Sequence, residues 1–249
     1  MPPLALVTGS CRRLGAHIAA RLATAGYGIA LHSGHEAVLE RWLADRLVGV
    51  PHQLFIADLA EESAVTDLPA RVTAHFGQPI TLLVNNASRF AALDADGAAF
   101  AEVMAHVGVN LAAPYALALA VAQGAGAGGA AVVNILDQRI LNPPIDQQAY
   151  TLSKQALGEA TRTLARALAP HVRVNAVAPG LVIPTDDYAP EQMEGLFAMM
   201  PLARLATPDE VADAVAWLAA AGAVTGQTIF VDGGAHLESF RRDFVHLAR

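Results

Sequence analysis

The chain has 249 residues, of which 54% are apolar and 16% charged, a balance that excludes a disordered chain and suffices to bury a sizeable core. Its net charge of −7 argues against nucleic-acid binding, which needs a basic face to replace phosphate counterions. The single cysteine, Cys11, cannot close an internal disulfide, and M-P-P-L-A-L-V-T-G lacks the leading charge and apolar length of a signal peptide, so a cytoplasmic location is expected.

Leu4 to Thr8 is an apolar run without polar alternation, as for a strand buried on both faces. Thr8-Gly9-Ser10-Cys11-Arg12-Arg13-Leu14-Gly15 then leads into a helix that stops at Gly26. Such a strand, glycine turn and helix aim backbone N–H groups and the positive end of the helix dipole at one point, where a pyrophosphate can lie. Gly9 permits the sharp turn and Gly15 lets helix and strand approach. Tyr27 to His32 is a second strand, Glu36 to Leu47 a helix, and His52 to Ala57 a third strand ending in Asp58-Leu59. An acid at the end of the second strand of a dinucleotide fold holds the ribose hydroxyls of NAD, and its absence leaves room for the 2′-phosphate of NADP. Here that end reads His32-Ser33-Gly34-His35, so NADPH is expected, with Glu36 as a rival ribose ligand.

Ile80 to Val84 is a fourth buried strand running into Asn85-Asn86-Ala87-Ser88-Arg89-Phe90. The asparagines can satisfy backbone groups where strands diverge, and Ala87 leaves space for a flat ring. Helices follow at Phe100 to Gly108 and Ala112 to Ala125, the second apolar nearly all round and hence buried in the fold or against another subunit. No Asp, Glu, Lys or Arg occurs between Glu102 and Asp137, but Asn110, Pro114, Gln123 and G-A-G-A-G-G are expected to break this stretch into helix, turn and strand, not a membrane span. Ala130 to Leu136 is a fifth strand, delivering Asp137 at its end. On the helix from Ala149 to Ala169, Tyr150 and Lys154 are four residues apart and share a face, where an ammonium can favour the phenolate and bring the tyrosine toward a working pKa. Val172 to Ala178 is the sixth strand, followed by Pro179-Gly180-Leu181 and an irregular Pro184 to Met200 loop. Thr207-Pro208-Asp209-Glu210 opens a capped helix, and Thr228 to Val231 is the last strand. Strands alternating with helices imply a single α/β domain over 1–249, a doubly wound seven-stranded parallel Rossmann sheet with helices on both faces.

With T-G-x-x-x-x-x-G after the first strand, N-N-A after the fourth, Asn110, Y-x-x-x-K and P-G after the sixth, the chain resembles the short-chain dehydrogenase/reductase superfamily over nearly its whole length. The resemblance implies Tyr150 as proton donor, Lys154 on the nicotinamide ribose, and Asn110 holding a water of the proton relay. It also implies cofactor contacts from Gly9, Arg12, Arg13, Leu14, Gly15, His32, Ser33, Asp58, Leu59, Asn86, Ala87, Ser88, Tyr150, Lys154, Pro179, Gly180 and Leu181. Two departures look like the pteridine reductase branch, which includes bacterial dihydromonapterin reductases: Arg13 stands for the usual middle glycine, and Asp137 for the usual catalytic serine. N-N-A-S-x-F and V-T-G-x-x-x-x-V-D-G-G point the same way. The substrate residues implied are Arg13, Ser88, Phe90, Asp137 and Tyr150, with Phe90 as one wall around a flat pterin or folate; no metal site is assigned.

An ionised carboxylate at Asp137 would repel the oxyanion of a reduced ketone, whereas a C=N bond needs a proton delivered to nitrogen, which an Asp–Tyr pair can relay. The competing readings are a carbonyl or alcohol oxidoreductase of the same superfamily, and a non-catalytic NADP-sensing module, against which the intact Tyr150, Lys154 and Asn110 speak. A homotetramer is expected through the apolar helix around Ala116 to Ala122 and the small-residue face of Ala156, Gly158 and Ala160.

Overall fold

The computed structural model describes residues 1–36, 38–90, 99–183 and 189–247. Its strands are β1 (Leu4–Val7), β2 (Gly28–Ser33), β3 (His52–Ile56), β4 (Leu82–Asn85), β5 (Ala130–Ile135), β6 (Val172–Pro179) and β7 (Thr228–Val231). They form one sheet in the order β3-β2-β1-β4-β5-β6-β7, every neighbouring pair parallel. The winding reverses at β1, where Val7 lies opposite Leu31 on one side and Val84 on the other. A crevice opens at such a reversal, beyond the C-terminal strand ends.

Both faces of the sheet are covered because successive strand residues point to opposite sides. Ala5 and Val7 pack with Ile18, Leu22, Val211, Val215 and Leu218, which belong to α1 (Arg13–Thr24) and α8 (Pro208–Ala220). Leu4 and Leu6 pack on the other side with Leu68, Val72, Leu117, Val121 and Leu164. Those residues come from α3 (Glu62–Phe76), α5 (Ala113–Gly124) and α6 (Gln148–Ala167). In α1 the buried Gly15, Ile18, Ala19 and Leu22 recur at helical spacing, and Gly26 leaves the helix at φ +92°. At α8 the Thr207 hydroxyl accepts from Glu210 N while the Glu210 carboxylate accepts from Thr207 N, a complete capping box.

Three local expectations change, and the helix α3 was not among those expected from the sequence. The second helix, α2, is only Arg41–Arg46, so Glu36 does not open it. α3 carries Pro69 in its interior, a breaker by local rules, yet Val65, Leu68, Pro69 and Val72 line up as one buried face and tertiary packing prevails. Asn110 and Pro114 do not interrupt the charge-free stretch. α4 (Ala99–Val107) runs through a π-helical turn, Gly108–Ala112, into α5, where Pro114 falls in the first turn. The resulting Ala99–Gly124 helix is long and apolar enough to cross a membrane, with mean hydropathy 1.5, but Ala113, Pro114, Leu117, Ala118 and Val121 are buried in the core. Finally, the expected irregular loop contains α7 (Pro190–Met199), while residues 184–188 lie outside the described residues.

Candidate active site

A cavity of about 790 Å³ fills the crevice. Of the cofactor-facing residues anticipated, Gly9, Arg12, Arg13, Leu14, Gly15, His32, Ser33, Asp58, Leu59, Asn86, Ala87 and Ser88 line it, together with Phe90. Cys11, Gly34, His35, Glu36, Val38 and Val109 complete the lining. Pro179 ends the far strand β6 and Gly180 and Leu181 follow it, none of them lining the cavity; Gly180 N donates to Val231 O and leaves no room for a Cβ, which would come within 2.9 Å of the Asp232 side chain.

The turn after β1 is held rigidly. The Thr8 hydroxyl accepts from Asn86 N and Ala87 N, and Asn86 Nδ2 donates to Thr8 O at 2.9 Å and Gly9 O at 3.0 Å. Gly9 has φ +62°, and a Cβ on Gly15 would lie 2.1 Å from Gly9 O, so both positions demand glycine. His32 is buried between this turn and the end of β3: its Nδ1 accepts from Gly9 N at 3.1 Å and its Nε2 donates to Ala57 O at 2.8 Å. One nitrogen accepting and the other donating defines a neutral imidazole, and burial lowers the His32 pKa from its ordinary 6.5. Arg13 takes φ +53°, which explains why the related pattern has glycine there; its N–H is held by Glu40 Oε1 at 3.0 Å. The geometry suits a dinucleotide: a fixed turn whose exposed Arg12 and Arg13 line the cavity, and no acid at the end of β2.

Asp137, Tyr150, Lys154 and Asn110 do not line this cavity but converge beside it, next to Phe90. Asp137 caps a 3₁₀ turn, Gln138–Ile140, at the end of β5, its Oδ1 accepting from Arg139 N at 3.0 Å. Tyr150, at the start of α6, donates its hydroxyl to Asp137 Oδ2 at 3.0 Å. Phe90 meets the Tyr150 ring edge to face at 4.8 Å and thereby joins this cluster to the cavity. One turn along α6, the buried Lys154 donates to Ile135 O at 2.8 Å, with its Nζ 5.8 Å from the Tyr150 ring. Asn110, in the π-turn, spends all four of its hydrogen-bonding positions on protein. Its Oδ1 accepts from Ser88 Oγ and Arg89 N, and its Nδ2 donates to Arg89 O and Ser153 Oγ. The side chain therefore anchors the segment ahead of Phe90 to α6.

The electrostatics revise one expectation. Tyr150 is not drawn down toward neutrality: burial, then the Asp137 carboxylate, raise its pKa well above 10.0, and the opposing influence is Arg139. Lys154, fully buried, has its pKa lowered to about 8 by desolvation, partly offset by Asp137. Arg139 itself escaped the sequence reading. Its Nε donates to Asp137 Oδ1, its guanidinium also reaches Gln147 and Asp243, and it sits 5.3 Å from the Tyr150 ring centre. A charged residue just beyond a buried strand, two positions from Asp137, was the available signal; Asp243, 104 residues away, offered none.

Comparison with known proteins accords with this geometry. Residues 9–236 match the family model described as enoyl-(acyl carrier protein) reductase. Galactitol 2-dehydrogenase of Rhizobium johnstonii is 34% identical over 241 residues, covering 92% of this chain and 93% of that protein. The fold is similar to the FolM alternative dihydrofolate reductase 1 of Brucella canis, solved with NADP, at 38% identity and TM-score 0.86 over 95% of each chain. The same enzyme from Brucella suis, also solved with NADP, gives 38% identity and TM-score 0.87 over 96% of each.

Proposed function

The chain belongs to the short-chain dehydrogenase/reductase superfamily, and from that premise we propose that it is an NADPH-dependent reductase of a pterin-type C=N bond, taking a dihydropterin or dihydrofolate to its tetrahydro form. The observation that carries the reading is the 3.0 Å hydrogen bond from Tyr150 to Asp137, a carboxylate where the family usually has a hydroxyl. The likeness to the two FolM reductases, at 38% identity, supports the same substrate class.

In this reading the hydride added to the substrate carbon is the contribution of NADPH. Gly9, Arg12, Arg13 and Gly15 hold its phosphates and the Arg side chains favour the 2′-phosphate; Lys154 holds the nicotinamide ribose. Tyr150 gives its proton to the substrate nitrogen, leaving a phenolate that regains a proton from solvent, and the Asp137 carboxylate orients the hydroxyl by accepting from it. The raised pKa keeps Tyr150 in the protonated form from which a donor starts, and it also makes the hydroxyl a weaker acid, so charge brought by the bound cofactor and substrate has to favour the transfer. Phe90, exposed beside the Tyr150 ring, offers an apolar face to a flat heterocycle. Arg139, against Asp137, neutralises charge that would otherwise build up in the buried cluster.

A ketone or alcohol substrate is the second reading, favoured by the likeness to galactitol 2-dehydrogenase and by Arg139, which offsets the repulsion between Asp137 and an oxyanion. Loss of NADPH absorbance with dihydropterins, dihydrofolate and a panel of ketones decides between them. Turnover of dihydropterin, lowered by Asp137→Ser, is the expected result. Ketone turnover alone, unchanged or raised by Asp137→Ser, overturns the pterin reading.

A further inference from the structure

We infer that Asp243, carried on the C-terminal segment after β7, is a positioning residue for the Asp137–Tyr150 pair and acts on it through Arg139. The inference rests on the reading of that pair as the proton-handling groups.

The contacts form one continuous chain. Asp243 Oδ2 accepts from Arg139 Nη2 at 3.0 Å, Asp137 Oδ1 accepts from Arg139 Nε at 3.0 Å, and Asp137 Oδ2 accepts from the Tyr150 hydroxyl at 3.0 Å. Gln147 takes the remaining edge of the guanidinium. A guanidinium is planar with a rigid fork of donors, so its acceptors fix its direction. Arg139 stands on a single 3₁₀ turn, too short to hold a long side chain by itself. The acceptors must therefore do so.

The tail is fastened where this requires. Asp243 N donates to Asp146 Oδ1 at 3.0 Å, Ile145 N donates to Arg241 O at 3.0 Å, and Asn142 Nδ2 donates to His236 O at 2.9 Å. Each of these joins the segment leading from β5 to α6 with the segment beyond β7. Asp243 and Arg139 are both buried. The space beside them is a cavity of about 10 Å³, room for roughly one water. Removing the Asp243 carboxylate thus leaves a buried guanidinium edge short of an acceptor, and Arg139 shifts with Asp137 attached.

Charge follows the same path. Tyr150 is faced by Asp137 and Arg139 from the turn after β5, Lys154 from its own helix, the His106 ring from α4, and more distantly Asp243 from the tail. Asp243 shares Arg139 with Asp137, so it leaves more of the Asp137 charge acting on the phenol. Its own negative charge also adds to the raised pKa of Tyr150.

The test is steady-state reduction of dihydropterin by NADPH across pH, with Asp243→Asn, Asp243→Glu and Arg242→Ala. Asp243→Asn is expected to lower kcat about tenfold, the scale of one charge-assisted hydrogen bond, and to move the basic limb of the profile to lower pH. KM for NADPH should stay within about twofold, since ground-state cofactor binding is untouched. Asp243→Glu keeps the charge and should keep the limb near its wild-type position. Arg242 pairs with Asp146 at 3.6 Å on the same tail without reaching Arg139, so Arg242→Ala should leave the profile unchanged. A wild-type profile in Asp243→Asn, or an equal shift in Arg242→Ala, overturns the inference. Asp243→Ser, which leaves space for a water, replaces the asparagine variant if that does not fold. A second arm uses no substrate: amide hydrogen exchange in residues 137–141 should be roughly tenfold faster in Asp243→Asn than in wild type. Equal exchange overturns the inference as well. If the wild type reduces no pterin, the substrate reading fails, and the exchange arm alone decides the role of Asp243.

Discussion

Tyr150→Phe removes the hydroxyl bonded to Asp137 while keeping the ring that packs on Phe90, so folding and NADPH binding should survive. Turnover should fall by at least about a hundredfold, the usual scale of a positioned general acid, in a steady-state assay. Near-normal turnover would remove Tyr150 from that role. Arg13 joins two separable effects. Its φ of +53° costs roughly 1 kcal/mol or more that glycine would not incur. Arg13→Gly should therefore raise the melting temperature or leave it unchanged, while the preference for NADPH over NADH falls about tenfold with the lost charge. A lowered melting temperature, or an unchanged preference, would contradict this account.

At the scale of elements, the turn after β1, the end of β2 and the end of β4 are pinned together by Thr8, Asn86 and His32. The His32 contact requires a neutral ring. Its folded-state pKa lies below 6.5, so its contribution to stability is complete above pH 6.5 and declines as pH falls from there toward the folded value. Urea unfolding on either side of pH 6.5 should show lower stability on the acid side, and His32→Gln should flatten that difference. An equal pH dependence in the variant would assign it to other groups. The same elements show what was legible in the chain. Strand ends and glycine turns were readable because buried parallel strands are unbroken apolar runs and a left-handed turn selects glycine. α3, with Pro69 in its interior, was not read from the sequence, and the continuity of α4 with α5 was hidden because a π-turn has no side-chain signature. Tyr150 and Lys154 could be paired from spacing alone. The acceptors around Arg139 could not, because burial and distant contacts created that cluster and local sequence carries neither.

For the whole molecule, Phe100, Met104 and Tyr115 on the α4–α5 helix and Leu152 on α6 are exposed apolar side chains. A second copy docking there would bury them beside the half-buried Ala156, Gly158 and Ala160. We expect light scattering to give a tetramer at micromolar concentration, and Leu152→Glu to yield smaller species. A monomeric wild type would refute this.

The buried Lys154 has one further consequence. Its ammonium is held by a backbone carbonyl, 2.8 Å away, and its pKa near 8 means that part of the population is neutral in mildly alkaline solution. An anionic cofactor arriving beside it favours the charged form, so binding must draw a proton from the medium. Calorimetric titration with NADP at pH 8, repeated in buffers of different ionisation enthalpy, should give heats that vary with the buffer. Lys154→Met should bind more weakly and with buffer-independent heat; the same buffer dependence in both proteins would place the proton elsewhere.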